Sequence, residues 1–273
     1  MTVTSLTRNF PDLRKLISIA RWGVYYLNSL FFFLLIPVFK RKVLGYSFEQ
    51  IRSDFQIFGR LGLKSFGIKG EILNPHNVDL KKGYILTANH RSWLDQVLLV
   101  AYFPRMIHFL ANVKYWKLPF MHTILENNES IPVDQNGLSD KAQRRLDLSL
   151  QKNETVLFYI EGTRGSGRTL LPFKKGAFKT SMKHDKEILP IYILGTEQCL
   201  SKHKSLLDIR SGEVTIVVGK PVSFDEEYFE VQFKTFEEHY NFVHNKLYDE
   251  FEYYLTMKAA NKSTWKLPSL NLV

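Results

Sequence analysis

The sequence predicts an α/β protein, a mixed and largely parallel sheet flanked by helices, with a hydrophobic helical segment ahead of it. Three observations point there. Short runs of β-branched and aromatic residues recur from about residue 66 onward, with longer helix-like pieces between them. An aromatic-rich apolar run at residues 22–39 stands apart from that alternation. A chain with 45% hydrophobic and 23% charged residues has the composition of a folded protein, and 273 residues are enough to bury one sizeable core.

The first element is the run WGVYYLNSLFFFLLIPVF, residues 22–39, with Arg14, Lys15 and Arg21 before it and Lys40, Arg41 and Lys42 after it. A helix of that length rises about 27 Å, which barely crosses a bilayer core, and Asn28, Ser29 and Pro37 interrupt it. A basic cluster follows where a signal peptide would have a small-residue cleavage site. Three forms fit: a marginal spanning helix, a helical hairpin dipping into one leaflet, or a core helix. Its place outside the α/β alternation favours membrane attachment, monotopic or single-pass, with the flanking cations on anionic headgroups. Basic residues at both ends give no orientation by the positive-inside rule. Residues 1–60 are therefore read as a membrane-associated helical segment and residues 61–273 as the α/β domain.

Within that domain the strand-like runs are residues 68–73, 84–88, 106–110, 155–160, 188–194 and 213–218. Helix-like pieces lie near 92–103, 138–152 and 174–184. No clear helix separates the last two strands, which predicts an antiparallel member. Residues 225–258, rich in Glu, Phe and Tyr at helical spacing, read as a terminal amphipathic helix covering the sheet.

The net charge of +10 directs attention to polyanions: nucleic acid, anionic lipid or phosphorylated substrates. No helix-turn-helix, zinc-knuckle or RRM signature is present, so nucleic acid is not expected as a partner. The one cysteine, Cys199, excludes an internal disulfide and a cysteine-built metal site.

Two stretches carry chemistry. In TANHRSWLDQVLL, residues 87–99, an apolar strand runs into His90, and Asp95 follows five positions later. Ser92 and Asp95 fit a helix start, with serine and acid satisfying orphan backbone donors. His90 and Asp95 also fit a base and its orienter. A five-residue step is about 140° around an ideal helix, which splays two side chains apart. A break at Ser92 lets His90 fold back over the helix N-terminus, so both readings can hold together.

In LFYIEGTRGSGRTLLPFKKGAFK, residues 157–179, a strand ends at Glu161 and enters a glycine-rich, cationic loop. Ligands in parallel sheets sit beyond the carboxyl ends of strands. Glycines allow backbone amides close to an anion, and Arg164 offers a planar fork for phosphate. The Lys-Ser/Thr ending of a Walker loop is missing. Neither stretch has the spacing of a metal site, so no metal is expected.

Asn89-His90, four intervening residues and Asp95, followed by Glu161-Gly162-Thr163-Arg164, resembles the glycerolipid acyltransferase family, with its bacterial 1-acylglycerol-3-phosphate acyltransferases as the nearest group. The resemblance covers roughly residues 60–220 together with the hydrophobic N-terminal segment. It implies that His90 is the general base, that Asp95 holds the imidazole, and that Glu161, Gly162, Thr163 and Arg164 shape the acceptor pocket beside Asn89, with Arg164 on the acceptor phosphate. It also implies direct attack of the acceptor hydroxyl on an acyl thioester, from acyl-CoA or acyl carrier protein, without a cofactor. The expected place is the cytoplasmic membrane, facing the cytoplasm. Pro190 matches a family proline and reads as scaffold. The sequence departs from the family where an apolar run is followed by an acidic residue and a phosphate-binding arginine. Here Ile131-Pro132-Val133-Asp134 leads to Gln135, which offers a hydrogen bond without charge. Lys114, Arg144 and Arg145 are the cations available to compensate. Other classes considered are a thioester hydrolase, with water at the same base, and a non-catalytic lipid-binding protein. Within acyl transfer, Gln135 raises a lysolipid lacking a terminal phosphate monoester as an alternative acceptor.

Overall fold

A computed structural model describes residues 11–165, 170–223 and 236–259. Helix α1 (Pro11–Asn28) continues through a wide π-helical stretch, Ser29–Leu35, into α2 (Ile36–Lys42). Then come α3 (Arg52–Ser65), β1 (Ile68–Leu73), β2 (Ile85–Ala88), α4 (Leu94–Tyr102) and β3 (Ile107–Asn112). They are followed by α5 (Pro119–Asn127), β4 (Ile131–Val133), α6 (Asp140–Gln151), β5 (Thr155–Tyr159) and α7 (Gly176–His184). The chain closes with β6 (Ile188–Leu194), the short α8 (Thr196–Cys199), β7 (Gly212–Val218) and α9 (Phe236–Ala259).

The seven strands form one sheet in the order β1-β7-β6-β2-β5-β3-β4. Strands β6, β2, β5, β3 and β4 run parallel, and the β6–β7 pairing is antiparallel, as the missing crossover helix predicts. Helices cover both faces, which is why β2 and β6 read as unbroken apolar runs and are buried at every position. Pro190 lies inside β6 without breaking the ladder. It sits just past the last β7 residue paired to β6, and its carbonyl accepts from the Gly219 N–H at 2.8 Å. The one strand the sequence did not announce is β4, three residues long and containing Pro132.

On one face Phe58, Leu63 and Phe66 of α3 and its end pack with Val97 and Leu98 of α4. The two helices cross closely at Gly59, where a Cβ would lie 2.7 Å from the Ala101 backbone. On the other face Leu146 and Leu150 of α6, Phe178 of α7, and Leu247, Phe251 and Tyr254 of α9 form the second core. The terminal helix thus covers the sheet from residue 236 on; the part expected at 225–235 lies outside the described residues.

The N-terminal segment is one continuous helical rod rather than a hairpin. Trp22 and Tyr25 are buried in the first core against Phe66 and Trp93. Asn28 and Ser29, which interrupt the apolar run in sequence, face the protein: Asn28 Nδ2 donates to the Phe58 carbonyl at 2.8 Å and Ser29 Oγ to the Tyr25 carbonyl at 2.9 Å. The opposite face exposes Leu16, Ile19, Val24, Leu27, Phe31, Leu35 and Phe39. The stretch Lys15–Lys42 is long and apolar enough to cross a membrane. The expected boundary at residue 60 falls inside α3, which packs against this rod.

Candidate active site

His90 leaves the carboxyl end of β2 in the turn that precedes α4. Its Nδ1 lies 2.8 Å from Asp95 Oδ2. The same oxygen accepts the backbone N–H groups of Arg91 at 2.7 Å and Ser92 at 2.9 Å, while Oδ1 accepts the Thr196 hydroxyl. Asp95 is fully buried, and these four donors replace the water it has lost. With the carboxylate at Nδ1, the network assigns the neutral ring's proton to Nδ1 and the lone pair to Nε2. Nε2 makes no hydrogen bond among the described residues. The turn before α4 and the pair share one carboxylate: Asp95 reaches back to the Ser92 N–H, and Ser92 Oγ accepts the Leu94 N–H at 3.2 Å.

The loop after β5 is stitched to this turn. Glu161 is buried; its Oε1 accepts the His90 N–H at 3.0 Å and its Oε2 the Leu171 N–H at 2.9 Å. The Gly165 N–H donates to the His90 carbonyl at 2.8 Å. Gly162 turns the chain with φ +69°, a conformation that favours glycine. Lys202 Nζ donates to the Arg164 carbonyl at 2.7 Å, which fixes the backbone carrying the guanidinium.

Two residues that the sequence placed on substrate make buried hydrogen bonds to the backbone. Asn89 is fully buried, and its side-chain amide pairs with the Ile193 backbone through bonds of 2.8 and 2.7 Å. Glu161 spends both oxygens on backbone N–H groups. Asn89 thereby ties the end of β2 to β6, and Glu161 ties the His90 backbone to the loop after β5. Gly162, Thr163 and Arg164 remain on the loop surface, where a ligand can reach them. Lys114 follows β3 and Gln135 follows β4, both exposed and on the same edge of the sheet. At about 4.8 Å per strand, Gln135 starts roughly 14 Å along that edge from β2. Of the cations expected to compensate, Arg145 is engaged by Glu126 at 3.1 Å, whereas Lys114 stands on the sheet edge that bears His90.

The sequence reading missed Thr196 and Tyr159. Thr196 follows Gly195 at the carboxyl end of β6, so the rule that singled out the other two loops would have found it. Tyr159 is the last residue of β5 and lies under the imidazole. Burial and the nearby Asp95 charge hold its phenol well above the ordinary range. Among the described residues His108, Glu129 and Glu154 could together hold a cation. They sit at the amino-terminal edge of the sheet, and their atoms are already bonded to one another and to Arg41.

The sequence model of the Acyltransferase family matches residues 69–194, a span holding the dyad and the Glu161–Arg164 loop. Residues 69–194, a little under half of the chain, are thus similar to that family. The chain is 32% identical over 145 residues to a 1-acyl-sn-glycerol-3-phosphate acyltransferase of Chlamydomonas reinhardtii, covering 51% of this chain and 42% of that one. It is 28% identical over 166 residues to the 1-acyl-sn-glycerol-3-phosphate acyltransferase of Saccharomyces cerevisiae, covering 58% of this chain and 52% of that one. The chain thus spans about half the length of these curated relatives or less. The chain shares its fold with the crystal structure of the 1-acyl-sn-glycerophosphate acyltransferase PlsC from Thermotoga maritima. The TM-score is 0.71 at 18% identity, covering 93% of this chain and all of that one.

Proposed function

We propose that this protein is an O-acyltransferase that moves a fatty acyl group from acyl-CoA or acyl carrier protein to the free hydroxyl of 1-acylglycerol 3-phosphate, forming phosphatidic acid. The observation that carries the reading is the His90–Asp95 pair at 2.8 Å, with Nε2 unengaged beside the loop that presents Arg164. His90 Nε2 takes the acceptor hydroxyl proton as its oxygen attacks the thioester carbonyl carbon. The C–S bond then breaks, and the imidazolium returns the proton to the leaving thiolate. The Asp95 carboxylate stabilises the imidazolium in between. Arg164 binds the acceptor phosphate, Lys114 adds charge from the neighbouring loop, and Gln135 offers a neutral hydrogen bond. The reaction uses no cofactor. The exposed apolar face of α1 and α2 lies in the membrane surface, and the assignment puts the enzyme at the cytoplasmic membrane with its site toward the cytoplasm.

A second acceptor, a lysolipid lacking a terminal phosphate monoester, is favoured by the neutral Gln135. A panel of lysolipids with both acyl donors separates the two. Transfer to 1-acylglycerol 3-phosphate at least tenfold above every headgroup-bearing lysolipid supports the first; the reverse order replaces it with the second.

A further inference from the structure

On the edge of the sheet opposite His90, a cavity of about 540 Å³ opens between the end of α2, the α5–β4 turn and the C-terminal half of α6. Its walls carry four cations, Arg41, Lys42, Arg145 and Lys152, and two carboxylates, Glu126 and Glu129. Arg41 pairs with Glu129, and Arg145 with Glu126 at 3.1 Å, so these four charges cancel. Lys42 and Lys152 form no ion pair with another described residue, and although the Lys152 charge also acts on Glu154 the walls stay net positive. A net positive wall suits a phosphate group, whose oxygens accept and whose charge approaches minus two as a monoester. Directly beside the cavity, Phe39, Val43, Leu44 and Tyr46 expose apolar side chains, and Tyr46 also lines it.

We infer that this pocket holds the phosphate headgroup of an anionic lipid whose acyl chains lie along the exposed strip of α2, a lipid site separate from the acyl-transfer site. The parallel strands separate the two: β5 has five residues and spans roughly 17 Å from this edge to the catalytic one. The site couples lipid charge to the way the helix lies on the membrane, and with it the height at which His90 meets its acceptor. The inference rests on the membrane-facing reading of the N-terminal helix.

The test is vesicle flotation of the full chain on phosphatidylcholine alone and on phosphatidylcholine containing phosphatidic acid, comparing wild type, Lys42→Gln/Lys152→Gln and Lys81→Gln/Lys204→Gln. The last pair removes the same charge at exposed lysines outside the pocket. Wild type and the Lys81/Lys204 variant should bind anionic vesicles about tenfold more tightly than neutral ones. The Lys42/Lys152 variant should keep neutral binding and lose that gain. Neutral binding with an undiminished gain in the Lys42/Lys152 variant overturns the pocket, as does equal loss in both variants. Thermal stabilisation by inorganic phosphate, lost in the Lys42/Lys152 variant without any preference for anionic vesicles, also overturns the lipid assignment in favour of a free-phosphate site. Failure of every form to bind neutral vesicles overturns the membrane-facing reading and the inference built on it.

Discussion

The imidazole of His90 lies face to face with the phenol ring of Tyr159, their centroids 3.8 Å apart and their planes within 14°. Asp95 fixes the imidazole at one nitrogen, and the tyrosine face fixes its plane. When His90 takes a proton the stack becomes a cation–π contact, worth about 0.5–2 kcal/mol in partly desolvated sites. The Tyr159 hydroxyl is buried without a partner. Tyr159→Phe keeps the face and removes the orphan, so transfer should stay within about threefold of wild type and the unfolding temperature should hold or rise. Tyr159→Leu should lower kcat about tenfold with KM little changed. Equal losses in both variants would mean that the hydroxyl, not the face, matters.

Asp95→Asn separates charge from architecture. The Asn carbonyl can take the three donors at Oδ2, and the Thr196 hydroxyl can rotate to accept from the new amide. The variant should fold with near-normal thermal stability while kcat falls on the order of 100-fold or more, because the imidazolium loses its anion. Activity near wild type in a folded Asp95→Asn enzyme would remove Asp95 from the mechanism.

Glu161 and Arg164 are neighbours in sequence with different work to do. Glu161→Gln turns one amide nitrogen toward a backbone N–H, either that of His90 or that of Leu171, and a buried donor without an acceptor costs about 1–3 kcal/mol. Stability and kcat should fall together. Arg164→Ala should leave the unfolding temperature unchanged and raise KM for the phosphate-bearing acceptor about tenfold or more, with donor KM unaffected. Urea unfolding alongside steady-state kinetics distinguishes the two patterns.

Glu154 gives a pH dependence. Burial pushes its carboxyl up, but the hydrogen bond and positive potential of His108, with Lys152 and Ser149, hold it net below the ordinary carboxylate range. A depressed folded value means stability that is present above the unfolded value of about 4.3 and is lost as pH falls through the folded one. Glu154→Gln should therefore be less stable than wild type at pH 7, and the gap should close below about pH 4. Urea midpoints across that range check it; a gap that stays constant down to pH 3 contradicts the sign.

The strands and the dyad were legible in the sequence because both depend on local order. Apolar runs mark β2, β5 and β6, and the His90–Asp95 spacing fits one helix start. What escaped depends on distant contacts. Thr196 reaches Asp95 from the end of the neighbouring strand β6, far away only in sequence, and Asn89 pairs with Ile193 on the same strand. Asn28 and Ser29 look like breaks in an apolar run until α3 supplies the Phe58 carbonyl for Asn28. A three-residue strand with a proline, β4, carries too short a pattern to be seen without its neighbour β3.

Transfer of a labelled acyl group from acyl-CoA to 1-acylglycerol 3-phosphate, measured for wild type and for a His90→Ala variant with unchanged near-UV circular dichroism and unfolding temperature, tests the general-base assignment directly. Labelled phosphatidic acid from wild type, and a loss of at least 1,000-fold in kcat for the variant, is the predicted result. A folded His90→Ala enzyme that still forms phosphatidic acid within tenfold of wild type would contradict it.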